Sequence, residues 1–196
     1  MLRKSPAIII ILISIFIGSA HANQQDFNAS AFFTSALSIN NIVDMDFGVI
    51  EYSGSGNLRA YLSPIDGSLS CNNSNYQCPA SGTPGSFQIN GDSGAVVDIS
   101  CERRAVLSDS TNTLNLVQTA IYNQKTGLFY MCRNLGRSTS FTLRGNPPDS
   151  DAPSNNASHT FLMGGMLRVQ GGIQAAGVYS TANAGGDPIS IRVVYQ

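Results

Sequence analysis

Apolar and polar side chains alternate along most of this chain, so that successive apolar residues fall two positions apart. A period of two is typical of a β-strand with one buried face, and a helical period is almost absent. The clearest runs are Leu58–Leu62, Phe87–Ile89, Ala95–Cys101 and Ile189–Tyr195. Turn residues separate the runs at intervals of roughly ten positions, which predicts an all-β, antiparallel β-sandwich.

The turns are predicted from their glycine, proline and aspartate content, at 64–67 (P-I-D-G) and at 124–127 (Q-K-T-G). Between 114 and 122 the alternation continues, and it places Leu114, Leu116, Gln118, Ala120 and Tyr122 on one face of a single strand. Residues 145–158 are rich in Pro, Asp, Asn and Ser, and we expect them to form a polar loop that extends to His159.

The first 22 residues have the layout of a secretory signal peptide. Arg3 and Lys4 precede an apolar run of 11 residues, Ala7–Ile17, and small residues at Ala20 and Ala22 suit a processing site. The run is shorter than the roughly 20 residues that span a bilayer, and no later segment is long and apolar enough. We therefore expect an exported chain that passes through the periplasm to the cell surface or beyond, with no stable membrane span after cleavage.

The four cysteines are Cys71, Cys78, Cys101 and Cys132. An even number behind a signal peptide predicts disulfides, for which three pairings exist. We favour Cys71–Cys78, which closes a polar loop, and Cys101–Cys132, which joins two apolar strand patterns. A zinc site is disfavoured because no C-x-x-C pair exists and one histidine remains after cleavage, so no metal site is predicted.

Charge excludes some partners. The chain has 11 Lys and Arg and 12 Asp and Glu, and loss of Arg3 and Lys4 changes the net charge to 9 − 12 = −3. No basic run is present along the sequence, so we expect neither nucleic acid nor an anionic membrane as a partner.

The stretch Gly91-Asp92-Ser93-Gly94 looks like the nucleophile motif of chymotrypsin-like serine proteases. A serine nucleophile needs a nearby base, and the one histidine after the signal peptide, His159, has no flanking motif for that role. The motif lies between two strand patterns, where a hairpin needs Gly and Asp. We interpret it as a turn, predict no catalytic residue and no cofactor, and rank a hydrolase last.

An additional alternating run precedes the expected first strand, Leu37–Asn41. Its apolar positions are Phe27, Ala29, Ala31 and Phe33. Such a segment can add to the sheet edge of another molecule, where its main chain forms ladder bonds and alternate side chains fill pockets. The alternative is that it is the first strand of its own sandwich, and the sequence leaves both open.

Five segments carry a resemblance to a known family: M-D-F-G-V-I (45–50), F-Q-I-N-G-D-S-G (87–94), F-L-M-G-G-M-L-R-V (161–169), G-V-Y-S (177–180) and I-S-I-R-V-V-Y (189–195). In this order they resemble a bacterial secreted domain family of unknown function, itself similar to spore coat protein U and to archaic chaperone–usher pilin domains.

The resemblance implies an immunoglobulin-like, pilin-like sandwich (37–196) that is completed by a donor strand from an N-terminal extension (23–36). Phe27, Ala29, Ala31 and Phe33 would then be the donor strand. The groove strand would carry Ile189, Ile191, Val193 and Tyr195. The partners would be like subunits in a homopolymer, with a periplasmic chaperone and usher. The insert 182–188 and the polar loop between Cys71 and Cys78 depart from the pattern and favour a self-complete domain.

Two functional hypotheses follow from the sequence. The first is a non-enzymatic structural or adhesive subunit of a bacterial surface fibre or coat. The alternative is a self-contained secreted or periplasmic binding module for carbohydrate or a host protein.

Overall fold

The computed structural model describes residues 36–145, 156–170 and 175–196. Across these ranges the chain forms thirteen β-strands and no helix. The strands are β1 (Ser38–Val43), β2 (Glu51–Tyr52), β3 (Leu58–Leu62), β4 (Leu69–Cys71), β5 (Tyr76–Gln77), β6 (Gly85–Asp92), β7 (Val96–Cys101), β8 (Arg104–Ser108), β9 (Thr113–Asn123), β10 (Leu128–Met131), β11 (Thr139–Thr142), β12 (Asn156–Val169) and β13 (Ile191–Tyr195).

The long strand β12 is the centre of the larger sheet, whose strand pairs are all antiparallel. On one side its first half pairs with β6 and its second half with β3, and on the other side it pairs with β9. β6 also pairs with β1, β3 with β4, and β9 with both β10 and β8. The larger sheet therefore has two halves that share β12 and β9.

The smaller sheet has the order β11-β7-β13 and packs over the half of the larger sheet that contains β6 and β10. The first core lies between them, with the stacked rings of Phe87 and Phe161 5.3 Å apart at their centroids. The buried members of this core are Phe87, Ile89, Val97, Ile99, Cys101, Ile121, Cys132, Phe141, Leu143, Ala157, Phe161 and Met163. This packing of one antiparallel sheet on another confirms the predicted β-sandwich.

A second core lies under the other half of the larger sheet. It is covered by the short pair β2–β5 and by loop residues, among them Phe47 and Tyr179. Its buried members are Phe47, Leu58, Ala60, Leu62, Leu69, Tyr76, Ala105, Leu114, Leu116, Leu167 and Val169. Met45 and Ile189 pack against both cores, so they connect the two halves.

A β-bulge separates the two halves of β9. Gln118 and Thr119 together oppose the single residue Gly165 of β12, and Gln118 has a φ of 54°. The extra residue reverses the alternation, so Leu114 and Leu116 point inward before the bulge and Thr119 and Ile121 after it. The prediction that Ala120 and Tyr122 share a face with Leu114 was therefore wrong.

Both predicted turns are present: the N–H of Gly67 donates to the carbonyl of Ser63, and that of Gly127 to the carbonyl of Asn123. The predicted polar loop 145–158 was too long, because β12 already begins at Asn156. His159 consequently lies inside a central strand and is fully buried, not in a loop. No helix in the described ranges is long and apolar enough to cross a membrane.

Candidate functional site

The first candidate site is the open side of the sandwich along which β1, an edge strand of the larger sheet, and β13, an edge strand of the smaller sheet, lie. Within the described ranges β1 pairs only with β6, and β13 pairs only with β7. Each strand therefore has one edge without a ladder partner there. An unpaired edge presents a row of N–H and C=O groups that can pair with another chain.

Apolar side chains line this open side without being fully covered. Leu37, Ile39 and Met45 belong to the β1 segment, and each is half-buried against the first core. On β13 the inward residues are equally half-buried, while the residues between them are exposed. The four half-buried side chains of the β13 segment are Ile189, Ile191, Val193 and Tyr195. The first core is thus incompletely covered along the line where β1 and β13 lie.

One end of this open side is closed by Tyr195. Its hydroxyl accepts a hydrogen bond from the backbone N–H of Asp92 at 3.0 Å. A Cβ built on Gly91 would lie 2.7 Å from that hydroxyl and 3.1 Å from Cδ1 of Leu37. Because Gly91 has no side chain, Tyr195 of β13 and Leu37, which precedes β1, can both approach its Cα.

The outer part of β1 is irregular and unusually apolar. A register shift against β6 falls between Asn40 and Val43, and Asn41 adopts a φ of 51°. Beyond it Ile42 is 72% exposed and Val43 51% exposed. Exposed apolar residues on a free edge favour association with another chain.

The structure therefore brings together Ile189, Ile191, Val193 and Tyr195, the residues that the sequence assigned to the groove strand. Ile189 precedes β13, which begins at Ile191. The predicted donor residues Phe27, Ala29, Ala31 and Phe33 lie outside the described residues, as do the signal peptide and most of the 23–36 extension. The compact unit that contains the sandwich is Thr34–Gln196.

Both disulfides have the pairing favoured from the sequence. Cys101–Cys132 joins the end of β7 to the residue after β10, and so links the two sheets across the first core. Cys71–Cys78 joins the end of β4 to the residue after β5. Two disulfides indicate an oxidising compartment and hence an exported protein.

The two departures from the family pattern have structural roles. In the loop closed by Cys71–Cys78, the side-chain amides of Asn73 and Asn75 donate to the carbonyls of Asn57 and Ser55. The insert 182–188 lies along the edge of β8, where Asp187 and Val106 exchange two backbone hydrogen bonds. The insert therefore covers the edge of β8.

A second candidate site is an apolar depression of about 680 Å³ beside the second core. Its wall is formed by residues 45–52 on one side and 175–179 on the other, with Tyr76 and Leu114 among the residues at its base. The rings of Tyr52 and Tyr76 lie 6.2 Å apart. Val49 is 77% exposed and Val178 83% exposed, so the rim is also apolar.

The protease-like motif forms a turn, as predicted. Gly91 and Asp92 end β6, and Gly94 has a φ of 87°, which glycine adopts without strain. The hydroxyl of Ser93 accepts a hydrogen bond from the N–H of Gly145 at 2.9 Å. Ser93 therefore has a structural partner in the loop after β11.

Both ring nitrogens of His159 are engaged. The backbone N–H of Arg144 donates to Nε2 at 2.8 Å, so Nδ1 of the neutral ring carries the proton. Its acceptor is Oδ1 of Asn123 at 3.4 Å, and Nδ2 of the same side chain lies at 3.0 Å. Desolvation lowers the pKa of His159, and the positive charge of Lys125 lowers it further. The ring is thus neutral and structural. In the described ranges no group of three or more His, Cys, Asp or Glu could hold a metal ion.

Comparison with known proteins adds a family but no named relative. The family described as Domain of unknown function (DUF4402) matches residues 37–195, which include every strand described above. The chain therefore belongs to this family. No curated protein and no solved structure matches the chain.

Proposed function

We propose that this member of the DUF4402 family is a non-enzymatic structural or adhesive subunit of a bacterial surface fibre or coat, assembled by strand complementation. Residues 27–33 of one copy would enter the open side of the next copy, between β1 and β13. The observation that carries the proposal is the row of half-buried apolar residues on two edge strands that lack a ladder partner on that side within the described ranges.

The physical chemistry of the inserted segment suits this role. Alternating Phe27, Ala29, Ala31 and Phe33 would point into the incompletely covered first core, and Asn28 and Ser30 would point away. Each phenylalanine contributes about 1.5–3 kcal/mol when fully buried, and each alanine contributes less. The main chain of the segment would form ladder bonds with the edges of β1 and β13.

The same surface explains the other proposed partners. Before assembly an open apolar edge favours aggregation, so a periplasmic chaperone and an usher would have to protect and deliver the subunit. The insert along β8 supports the proposal, because it covers an edge that would otherwise compete for the donor strand. The assembled fibre would lie at the cell surface or in the extracellular medium.

Engineered disulfides test both the pairing and its direction. In one chain Ala31→Cys is introduced, in a second chain Val193→Cys, and the two are co-expressed for export. We expect a covalent dimer on a non-reducing gel. The control is Ser30→Cys, whose side chain would point away from the core because it alternates with Ala29 and Ala31. It should give much less covalent dimer. The native cysteines are all paired and do not compete.

A chain that carries both changes separates the alternatives. A ladder of covalent multimers supports strand exchange between copies, whereas an internally linked monomer would show that residues 27–33 complete their own sandwich. The second result would refute the fibre proposal.

The depression beside the second core favours one alternative function, a secreted module that binds carbohydrate or a host protein. Its volume of about 680 Å³ is within the range of small-molecule sites, and it contains three tyrosines and two carboxylates, Asp46 and Glu51. A binding module of this kind would remain a monomer in the cross-linking experiment. In such a module, Tyr52→Ala would abolish the stabilisation that a bound ligand gives. Without ligand, the variant would lose only the stability that one half-buried ring contributes.

A further inference from the structure

Strands of the larger sheet and the loops beside them carry a concentration of arginines that is not visible in the sequence. The described ranges contain 11 − 2 = 9 lysines and arginines, since only Arg3 and Lys4 lie outside them. Six of these nine line two adjoining depressions that share Arg103. They are Arg59, Arg103, Arg104, Arg133, Arg137 and Arg168. These six residues, here called the arginine face, contrast with the net charge of −3 expected for the processed chain.

Strand register explains how the arginines meet. Arg59 of β3 stands directly opposite Arg168 of β12. Arg104 lies on β8, two strands away from β12. It pairs with Val117 of β9, and Val117 pairs with Met166 of β12. With about 4.8 Å between neighbouring strands, the row of positive charge extends roughly 15 Å across the sheet.

The arrangement is unfavourable without an anion. Like charges directly opposite each other on adjacent strands repel, and none of the residues lining either depression is acidic. Arg59, Arg104 and Arg168 are all exposed. With its amide oxygen turned toward Arg168, Gln170 accepts from Nη2 at 2.9 Å and from Nε at 3.2 Å, a neutral contact that orients one guanidinium and adds no negative charge.

The bulge of β9 adds a strained polar residue to the same place. Gln118 lines the first depression with a φ of 54°, a conformation that residues with a side chain seldom adopt. It lies among Arg59, Arg103 and Arg104 around a depression of about 170 Å³. Strain retained at such a position is characteristic of binding sites.

We propose that the arginine face binds an acidic polysaccharide, whose carboxylate or sulfate groups are spaced along an extended chain. Guanidinium groups bind such oxyanions through two parallel hydrogen bonds, and several groups in a row match a polyanion better than a single anion. A single-stranded nucleic acid fits less well, because stacking platforms need exposed aromatic rings and neither depression contains one. A membrane surface fits less well because the depressions are concave and their two apolar lining residues, Val117 and Met166, are half-buried.

The test uses the full exported chain and immobilised polygalacturonate, heparin and neutral dextran at low salt. We expect binding to at least one acidic polymer, none to dextran, and steep weakening as salt is added. The double variant Arg59→Gln/Arg168→Gln should weaken binding by about tenfold or more, because charge-assisted hydrogen bonds are lost. The matched control Arg144→Gln/Arg192→Gln makes the same change in net charge away from the arginine face and should retain binding.

Thermal unfolding of each variant verifies folding, and the single variants replace the double variant if it unfolds. Equal weakening by the control would overturn the proposal, because net charge alone would then explain binding. Failure to bind either acidic polymer would also overturn it. Binding to phosphatidylglycerol vesicles and to single-stranded DNA is measured in parallel. Tighter binding to either of these than to the polysaccharides would assign the arginine face to that ligand and refute the proposal. None of these outcomes depends on strand complementation.

Discussion

The buried imidazole of His159 makes a sharp prediction about stability and pH. Nε2 already accepts the N–H of Arg144, so protonation of that nitrogen would place two N–H groups against each other. Burial, and after it the positive charge of Lys125, lower the pKa of His159 in the folded chain. In the unfolded chain the imidazole has its ordinary pKa of about 6.5.

The sign follows from proton uptake. Below about pH 6.5 the unfolded chain binds a proton that the folded chain does not, so the free energy of unfolding falls as pH falls toward the folded pKa. One such group changes this free energy by up to about 1.4 kcal/mol per pH unit within that window. The pKa values of Asp66 and Asp109 are also lowered, that of Asp109 to about 2 by hydrogen bonds from Asn112 and Thr111. The stabilisation from these two aspartates is lost only at more acidic pH, below about 4.

The assay is denaturant unfolding at pH 7, 6 and 5 for the unaltered chain and for His159→Gln, which alters the one histidine expected to remain after cleavage of residues 1–22. We expect the unaltered chain to lose stability in this window, and the His159 variant to show a flatter profile from a lower starting value. A flat profile for the unaltered chain, or an equal slope in the His159 variant, would refute the assignment of a neutral buried imidazole.

Two further predictions concern the covalent and steric frame of the fold. Replacing both cysteines of Cys101–Cys132 by alanine should lower the free energy of unfolding by about 4 kcal/mol, and replacing those of Cys71–Cys78 should lower it by about 2 kcal/mol, because the bonds close separations of 31 and 7 residues. Chemical denaturation under non-reducing conditions measures both losses. A larger loss for the Cys71–Cys78 variant would contradict this ranking. Gly164→Ala should destabilise by at least about 1–3 kcal/mol, since its Cβ would meet the Leu62 carbonyl at 2.3 Å. Gly136→Ala, with its nearest atom at 3.5 Å, is the control and should stay within about 0.5 kcal/mol in thermal unfolding.

The sandwich and its disulfide pairing could be predicted from the sequence because alternation and turn chemistry are local signals. The start of the central strand β12 was harder to predict, because its first residues, Asn156–Ser158, are polar or small and their composition is typical of a loop. They belong to a strand because β6 pairs with them, a long-range contact that composition does not encode. The bulge at Gln118 was missed for a similar reason, since only the partner strand reveals which residue is extra.

The candidate sites divide in the same way. The groove residues from Ile189 to Tyr195 alternate along one strand, so their common face was visible in the sequence. The arginine face was invisible, because its members come from separate strands and loops and no two are neighbours in the chain except Arg103 and Arg104. Only strand register brings Arg59 beside Arg168, although more than 100 positions separate them.

The position of β12 has a consequence for how the protein must fold during export. This strand is the partner of β3, β6 and β9, yet it follows all of them in the chain, so none of the three can complete its ladder until residues 156–169 have emerged. Until then the earlier hairpins expose strand edges and apolar faces that are prone to aggregate. Because the final step closes long loops, the fold should form slowly, and its yield should depend on whatever protects the nascent chain after translocation.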